Sequence, residues 1–264
     1  MTVREVIEGL YETWLRRQIT HVPGHIAVIQ DGNRRYASIY RKNTAFGHRA
    51  GARTTELMLD WCQELGIRHI TLYSFSTENF KRDQAELTEL FGLFREMFER
   101  VVTDERVHRH KIRIQIVGDR TLLPDDLRAV IDRAEERTAA NDQFFVNVAL
   151  AYGGRNEIVH ATRALLAEVR AGSIDPAAIG TADIERHLHG GLNLPPVDLI
   201  LRTGNEKRTS NFLPWLANGN ESAVYFSAPF WPMFRKIDLL RGIRVYDQRI
   251  KMAAGHLPNR RLRN

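Results

Sequence analysis

"HIAVIQDGNRRYA", residues 25–37, decides how this chain is read. An apolar run ends abruptly in an acid, a glycine, an amide and two arginines. Charge is costly to bury unless it is paired or used. The turn is therefore either solvated or holds something ionic. The run itself is short and nearly continuous, as expected for a strand covered on both faces. Five further runs resemble it: "HITLYSF" from His69, "IRIQIVG" from Ile112, "FFVNVALAY" from Phe144, "DLILRT" from Asp198 and "ESAVYFS" from Glu221. Helical patterns separate them. One spans about His48 to Leu65, and "AELTELFGLFREMFERVV" from Ala85 places apolar residues at helical spacing. A third starts near Pro124, with proline and two acids in its first turn. This alternation predicts an α/β fold with a central, mostly parallel six-stranded sheet flanked by helices. No repeat, low-complexity tract or linker marks a boundary, so 1–264 reads as one domain, with an N-terminal helix over 1–20 and a basic tail over 255–264.

In open parallel sheets, ligands bind beyond the carboxyl ends of the strands. The tails after the first five runs are "DGNRR", "STENFKR", "GDR", "GGRNE" and "GNEKRTSN". Glycine, small polar residues and arginine recur in them. Arginine makes bidentate, permanently charged contacts to phosphate oxygens, and glycine lets the backbone approach. These tails suit a diphosphate. Asp31 among them would repel it unless a cation intervenes, and Mg²⁺ is usually held by one or two carboxylates plus substrate phosphates. Arg35, Arg82, Arg202 and Arg208 exceed the needs of one diphosphate, so two diphosphate-bearing substrates are expected. Any one of these arginines could instead pair with a neighbour such as Glu78 or Glu206.

Bulk composition agrees. The 264 residues are 43 % hydrophobic, enough for a sizeable core, and carry a formal net charge of +6, which favours anionic partners. Cys62 is the only cysteine, which excludes a disulfide framework and a cysteine zinc cluster. No apolar run approaches the roughly 20 residues of a spanning helix. The first residues carry acids and no signal-like apolar stretch. A cytoplasmic protein is expected.

Five ordered motifs now stand together: "HIAVIQDGNRRYA", "FGHRAGA", "TLYSFSTENFKR", "VNVALAYGGRNEIV" and "DLILRTGNEKRTSNFLPWLANGNESAVYFSAPFWP". Across roughly residues 23–234 the chain resembles the cis-prenyltransferases, the undecaprenyl and dehydrodolichyl diphosphate synthase family. "IQ" before "DGNRRYA" and the later "ANGNE" resemble its archaeal branch. The resemblance implies a transferase that adds isopentenyl diphosphate to an allylic primer, geranylgeranyl or farnesyl diphosphate, giving a long polycis-polyprenyl diphosphate. It implies Mg²⁺ at Asp31, beside the allylic diphosphate, and a second metal carboxylate at Glu221. It implies that Gly32, Asn33 and Arg35 form the turn around that diphosphate, that His48 and Arg82 hold or activate it, and that Ser76, Glu78 and Asn79 stand beside it. Arg34, Tyr36 and Phe80 join the expected substrate contacts. Arg202, Arg208 and Ser210 are implied to bind the diphosphate of isopentenyl diphosphate. Asp31, Asn33, His48 and Asn79 are the candidate catalytic residues, and the proton-accepting base stays open between Asn33, His48 and a diphosphate oxygen.

Departures from the bacterial pattern are Arg34 in place of a glycine, Thr44 in place of an arginine that helps bind the allylic diphosphate, and Asn205 in place of a glycine. Arg34 or Arg41 is the candidate replacement for the lost arginine. The resemblance also implies an apolar tunnel opening at the carboxyl ends of the strands. Leu90, Leu93, Phe94, Met97, Phe98 and Val101 either wall it or simply pack the core. Gly92 is a candidate to relieve crowding there, and Phe144 and Phe145 are candidates for its floor. A homodimer is implied, with "GNESAVYFSAPFWP" and the region near Arg241 as interface. The arginines of the tail, Arg260, Arg261 and Arg263, suggest weak peripheral contact with anionic lipid headgroups.

Rival readings are weaker. An aspartate-nucleophile hydrolase needs D-x-D-G, and position 29 is Ile. A trans-prenyltransferase needs DDxxD motifs, and Asp125–Asp126 is followed by Leu127, Arg128 and Ala129. A non-catalytic accessory subunit would be expected to lack motif residues that are present here. A nucleic-acid-binding module fits the charge, but no RNA-binding aromatic motif appears, so nucleic acid is not an expected partner.

Overall fold

A computed structural model describes residues 3–217 and 222–255, with side chains from residue 6 onward. Its elements are α1 (Val3–Gln18), β1 (His25–Ile29), α2 (Asn33–Ile39), α3 (Thr44–Glu64), β2 (His69–Ser76), α4 (Gln84–Thr103), α5 (Glu105–Arg109), β3 (Ile112–Val117), α6 (Asp125–Thr138), β4 (Phe144–Tyr152), α7 (Gly154–Arg170), α8 (Thr181–Glu185), β5 (Leu199–Arg202), β6 (Ala223–Phe226) and α9 (Lys236–Ala253). The six strands form one sheet in the order β3-β4-β2-β1-β5-β6, and β1 with β5, β5 with β6 and β3 with β4 run parallel. Each apolar run became a strand. The chain divides into two compact units, Met1–Ile70 with Val197–Arg208 and Ala217–Asn264, and Thr71–Pro196 with Thr209–Leu216.

In the first unit, all five β1 residues are buried, so its apolar run needs no polar alternation. Ile29 stands opposite Arg202 in the β1–β5 register, which puts the chain after β1 beside the chain after β5. Leu15 of α1 joins Ile237 and Leu240 of α9 in an apolar cluster. One buried acid locks the α1 exit to α9: Asp247 Oδ1 accepts from Thr20 N (3.2 Å), Thr20 Oγ1 (2.9 Å), His21 N (3.0 Å) and His21 Nδ1 (2.9 Å), and its Oδ2 accepts from Lys251 Nζ at 2.6 Å. Burial pushes this carboxyl up, but the hydrogen bonds from Lys251, His21 and Thr20 outweigh it and hold the pKa at about 2.

In the second unit, β3 is an edge strand, and α6 blocks its free side. Ile114 N donates to Thr138 Oγ1 at 3.1 Å and Ile116 N to Glu135 Oε1 at 2.8 Å, so the outward amides are satisfied within the chain. Leu87, Leu90, Phe94 and Phe98 of α4 are buried, whereas Leu93, Met97 and Val101 are half-buried. A side chain at Gly92 would meet only the Arg95 guanidinium at 3.8 Å, so Gly92 relieves no crowding.

Boundaries moved for local reasons. Helix α3 starts at Thr44, not near His48, because the Asn43 side chain caps it by accepting from Phe46 N at 3.1 Å. Pro124 sits at the N-cap of α6, just outside the first turn. "DGNRR" is less a loop than expected, since α2 begins at Asn33. Trp231, at the end of the expected interface segment, is buried, as is Phe234 just beyond it. Arg241 is engaged internally, 3.0 Å from Asp238 and over the Tyr11 ring at 5.4 Å.

Candidate active site

The predicted residues divide between the two units. In the first, the chain leaves β1 and turns at Asp31–Gly32. Gly32 has φ +115, and a Cβ there would lie 2.7 Å from the Phe230 side chain, so conformation and space both demand glycine. Two donors grip the Asp31 carbonyl: Thr203 Oγ1 at 2.7 Å and Trp231 N at 2.9 Å. Two guanidiniums hold its carboxylate: Arg35 Nη2 on Oδ1 at 3.0 Å and Arg202 Nη2 on Oδ2 at 2.8 Å. Arg202 is only 4 % exposed and donates its Nη1 to the Arg208 carbonyl at 2.8 Å. Arg35 lies over the Phe230 ring at 5.0 Å. Glu206 takes Arg208 at 3.3 Å and Arg35 at 3.9 Å. Three guanidiniums thus face two carboxylates, an excess of one positive charge.

Asn33 is wedged against α3. Side chains at Gly47 and Gly51 would lie 2.1 Å from Asn33 O and 2.4 Å from Asn33 Oδ1. Asn33 Oδ1 is buried in that notch and accepts no hydrogen bond among the described residues. His48 is buried in α3. Tyr36 stacks on Phe46 at 5.9 Å, and Arg34 is exposed on α2. Thr44 opens α3 and leaves no cation at its position. Asn205 stands at φ +57, in the left-handed region that asparagine tolerates best after glycine, which explains how it replaces the family's glycine. Glu221 lies outside the described residues, as do Arg260, Arg261 and Arg263.

In the second unit, Ser76, Glu78, Asn79 and Phe80 sit at or within a short 3₁₀ turn, Thr77–Lys81. Ser76 and Asn79 cap it reciprocally, with Ser76 N donating to Asn79 Oδ1 at 3.0 Å. Phe80 packs edge-on against Phe75 at 4.9 Å. Among the described residues Glu78 pairs with no arginine; it accepts from Asn211 Nδ2 at 3.0 Å. Partial burial raises its pKa, but hydrogen bonds from its own backbone, Asn211, Ser76 and Thr77 prevail and lower it. Arg82 bonds the buried Glu86 at 3.0 Å. Structural pairing of the arginines is therefore real, although Glu86 rather than Glu78 is Arg82's partner. Ser210 stands at φ +58, just before Asn211. Glu157 of "GGRNE" accepts from Tyr152 Oη at 2.5 Å and lies 2.6 Å from His189 Nδ1.

Three residues of this arrangement escaped sequence reasoning. Thr203 and Trp231 hold the Asp31 peptide. Asn211 caps α7, accepting from Gly154 N and Arg155 N at 2.9 Å each. None of the three had a local signal: Asn211 caps a helix at Arg155, 56 positions earlier in the chain, and Thr203 and Trp231 likewise act on distant segments.

Among the described residues, no group of three or more His, Cys, Asp or Glu could hold a metal ion alone. A single carboxylate, partly exposed and flanked by two guanidiniums, fits the pattern in which substrate phosphates complete the coordination of Mg²⁺.

The family model described as "Putative undecaprenyl diphosphate synthase" matches residues 29–253. Curated relatives described as "tritrans,polycis-undecaprenyl-diphosphate synthase (geranylgeranyl-diphosphate specific)" include that of Halobacterium salinarum, 49 % identical over 93 % of this chain and 81 % of its own, and that of Archaeoglobus fulgidus, 44 % identical over 92 % and 97 %. Among solved structures, lavandulyl diphosphate synthase from Lavandula x intermedia, in complex with dimethylallyl diphosphate, superposes with a TM-score of 0.80 at 30 % identity, over 86 % of this chain and 95 % of that one. A probable undecaprenyl diphosphate synthase from Campylobacter jejuni gives 0.69 at 30 % identity, over 86 % and 96 %. Fold and matches define the class as a transferase of prenyl groups. The chain belongs to the undecaprenyl diphosphate synthase family, on its archaeal side.

Proposed function

We propose that this chain acts as a single domain that elongates an allylic primer, geranylgeranyl or farnesyl diphosphate, with isopentenyl diphosphate to a long polycis-polyprenyl diphosphate. The product would serve as precursor of a lipid carrier for glycosylation or envelope synthesis. The observation that carries the reading is the Asp31 carboxylate held between Arg35 and Arg202 at the end of a buried strand. The primer choice rests on the names of the archaeal relatives.

Asp31 would hold Mg²⁺ together with the allylic diphosphate, and the ion supplies positive charge against which that diphosphate departs. Arg35 exchanges part of its Asp31 contact for phosphate oxygens and stabilises the growing negative charge. The allylic C–O bond breaks and the diphosphate leaves, the C=C of isopentenyl diphosphate forms the new C–C bond, and a proton passes to His48 or a diphosphate oxygen to restore a double bond. Arg208 and Ser210 would bind the second diphosphate, with the buried Arg202 contributing charge from behind Asp31, and Glu78 and Asn79 shape the turn after β2. The half-buried stripe Leu93, Met97 and Val101 is the candidate tunnel wall, while Leu90, Phe94 and Phe98 pack the core. Phe144 and Phe145 remain candidates for its floor. The working form is a homodimer, cytoplasmic and in peripheral contact with membrane.

Incubation with labelled isopentenyl diphosphate, Mg²⁺ and primers of increasing length tests this. Geranylgeranyl diphosphate should give long products, and EDTA should abolish them. An inert protein that becomes active only with a second, different subunit would replace this reading with the accessory-subunit one.

A further inference from the structure

From Gly32 to Thr55 the chain carries six cations, Arg34, Arg35, Arg41, Lys42, Arg49 and Arg53, and no Asp or Glu. This segment forms α2, the turn after it and the first half of α3. Its aromatic residues gather at one place: Tyr40 lies 4.8 Å from Tyr36 and 6.1 Å from Phe46, and Tyr36 stacks on Phe46. The cluster faces outward, with Ile39 63 %, Tyr40 52 % and Phe46 38 % exposed. Arg34, Arg41, Lys42, Arg49 and Arg53 are exposed on the same two helices and the turn between them. Contiguous apolar exposure of this kind marks an interaction surface.

We propose that this acid-free, aromatic-tipped helical pair seats against an anionic phospholipid surface. Ile39, Tyr40 and Phe46 enter the headgroup boundary, and Arg41, Lys42 and Arg49 meet lipid phosphates. A free diphosphate would use the cations but gain nothing from three exposed apolar side chains. A nucleic acid would use aromatic rings as stacking platforms, but these rings already pack on one another. A bilayer uses both. The proposal rests on the prenyl-chain reading, because that product carries an apolar chain with a diphosphate head. The patch shares α2 with Asn33 and Arg35, so the turn at Asp31 lies next to the lipid.

The test is co-sedimentation of the full chain with vesicles of phosphatidylglycerol and phosphatidylcholine in equal parts, and with phosphatidylcholine alone. The wild type should bind the anionic vesicles in a salt-sensitive way. Lys42→Ala should weaken that binding about fivefold, and Ile39→Ser with Tyr40→Ser about tenfold or more. Turnover of detergent-solubilised primer should stay unchanged in both variants. Undiminished vesicle binding by the double variant would overturn the proposal. So would loss of binding on substituting Leu10 and Trp14, two of the exposed apolar residues of α1, or a change of oligomeric state in the Ile39 and Tyr40 variant. A wild type that ignores vesicles but binds DNA would point to nucleic acid instead. A wild type that binds vesicles yet turns over no primer would sink the prenyl-chain reading separately.

Discussion

Thr203→Val removes one hydroxyl at the centre of the site; its weaker acceptor, the Ile29 carbonyl at 3.4 Å, keeps the Thr203 amide as donor. Thr203 is fully buried, and its hydroxyl donates to the Asp31 carbonyl at 2.7 Å. Valine keeps the shape and removes that donor. The carbonyl is not orphaned, because Trp231 N still donates to it at 2.9 Å. The expected stability cost is therefore that of one ordinary hydrogen bond, about 1 kcal/mol, which lowers the melting temperature of a chain this size by about 2–4 °C. The effect on turnover should be larger. Thr203 is a positioning residue, and a shift of the Asp31 carboxylate by a fraction of an ångström costs far more in the transition state than in folding. We expect kcat/KM to fall about tenfold to a hundredfold, with the half-saturating Mg²⁺ concentration raised and Thr203→Ser restoring both. Steady-state kinetics across a Mg²⁺ titration, beside thermal melts, read this out. A valine variant with unchanged Mg²⁺ dependence, or one whose activity falls only as its stability does, would refute the reasoning.

Three further outcomes are expected. Gly51→Ala puts a methyl group 2.4 Å from Asn33 Oδ1; overpacking of this kind costs about 1–3 kcal/mol, measurable by urea denaturation, and should lower activity by displacing α2. Asp247, held at a pKa of about 2, contributes stability above its unfolded value and loses it as pH falls. The advantage of the wild type over Asp247→Asn should shrink by about 2 kcal/mol between about pH 4 and pH 2, and denaturation midpoints across that range check it. Arg208→Ala should raise KM for isopentenyl diphosphate more than KM for the primer, since the Arg208 guanidinium is exposed and paired only loosely with Glu206.

Much of the fold was legible because its signals are local. Buried strands such as β1 are written as nearly continuous apolar runs, β4 with a single buried Asn147 in its middle, and the α4 stripe repeats at helical spacing. Asp31 was legible for the opposite reason, as a charge that nothing in its own segment accounts for. Its surroundings were not. Arg202 looked like an open phosphate-binding cation, yet it is buried on Asp31, 171 positions away in sequence. Phe230 forces Gly32, and Trp231 holds the Asp31 peptide, from a segment two hundred residues downstream. Such contacts follow from strand register, and the pairing of β1 with β5 could not be read from either strand alone. Capping was similarly hidden: Ser76 and Asn79 read as site residues, and what the structure shows is that they close a turn.

The central claim is that Asp31 organises the departure of the allylic diphosphate. Incorporation of labelled isopentenyl diphosphate by Asp31→Ala, beside the wild type and with folding verified by circular dichroism, tests it most directly. A fall of about a thousandfold or more in kcat, in a variant that still melts cooperatively, is the predicted result. A folded Asp31→Ala protein that turns over within about tenfold of wild type would contradict the account.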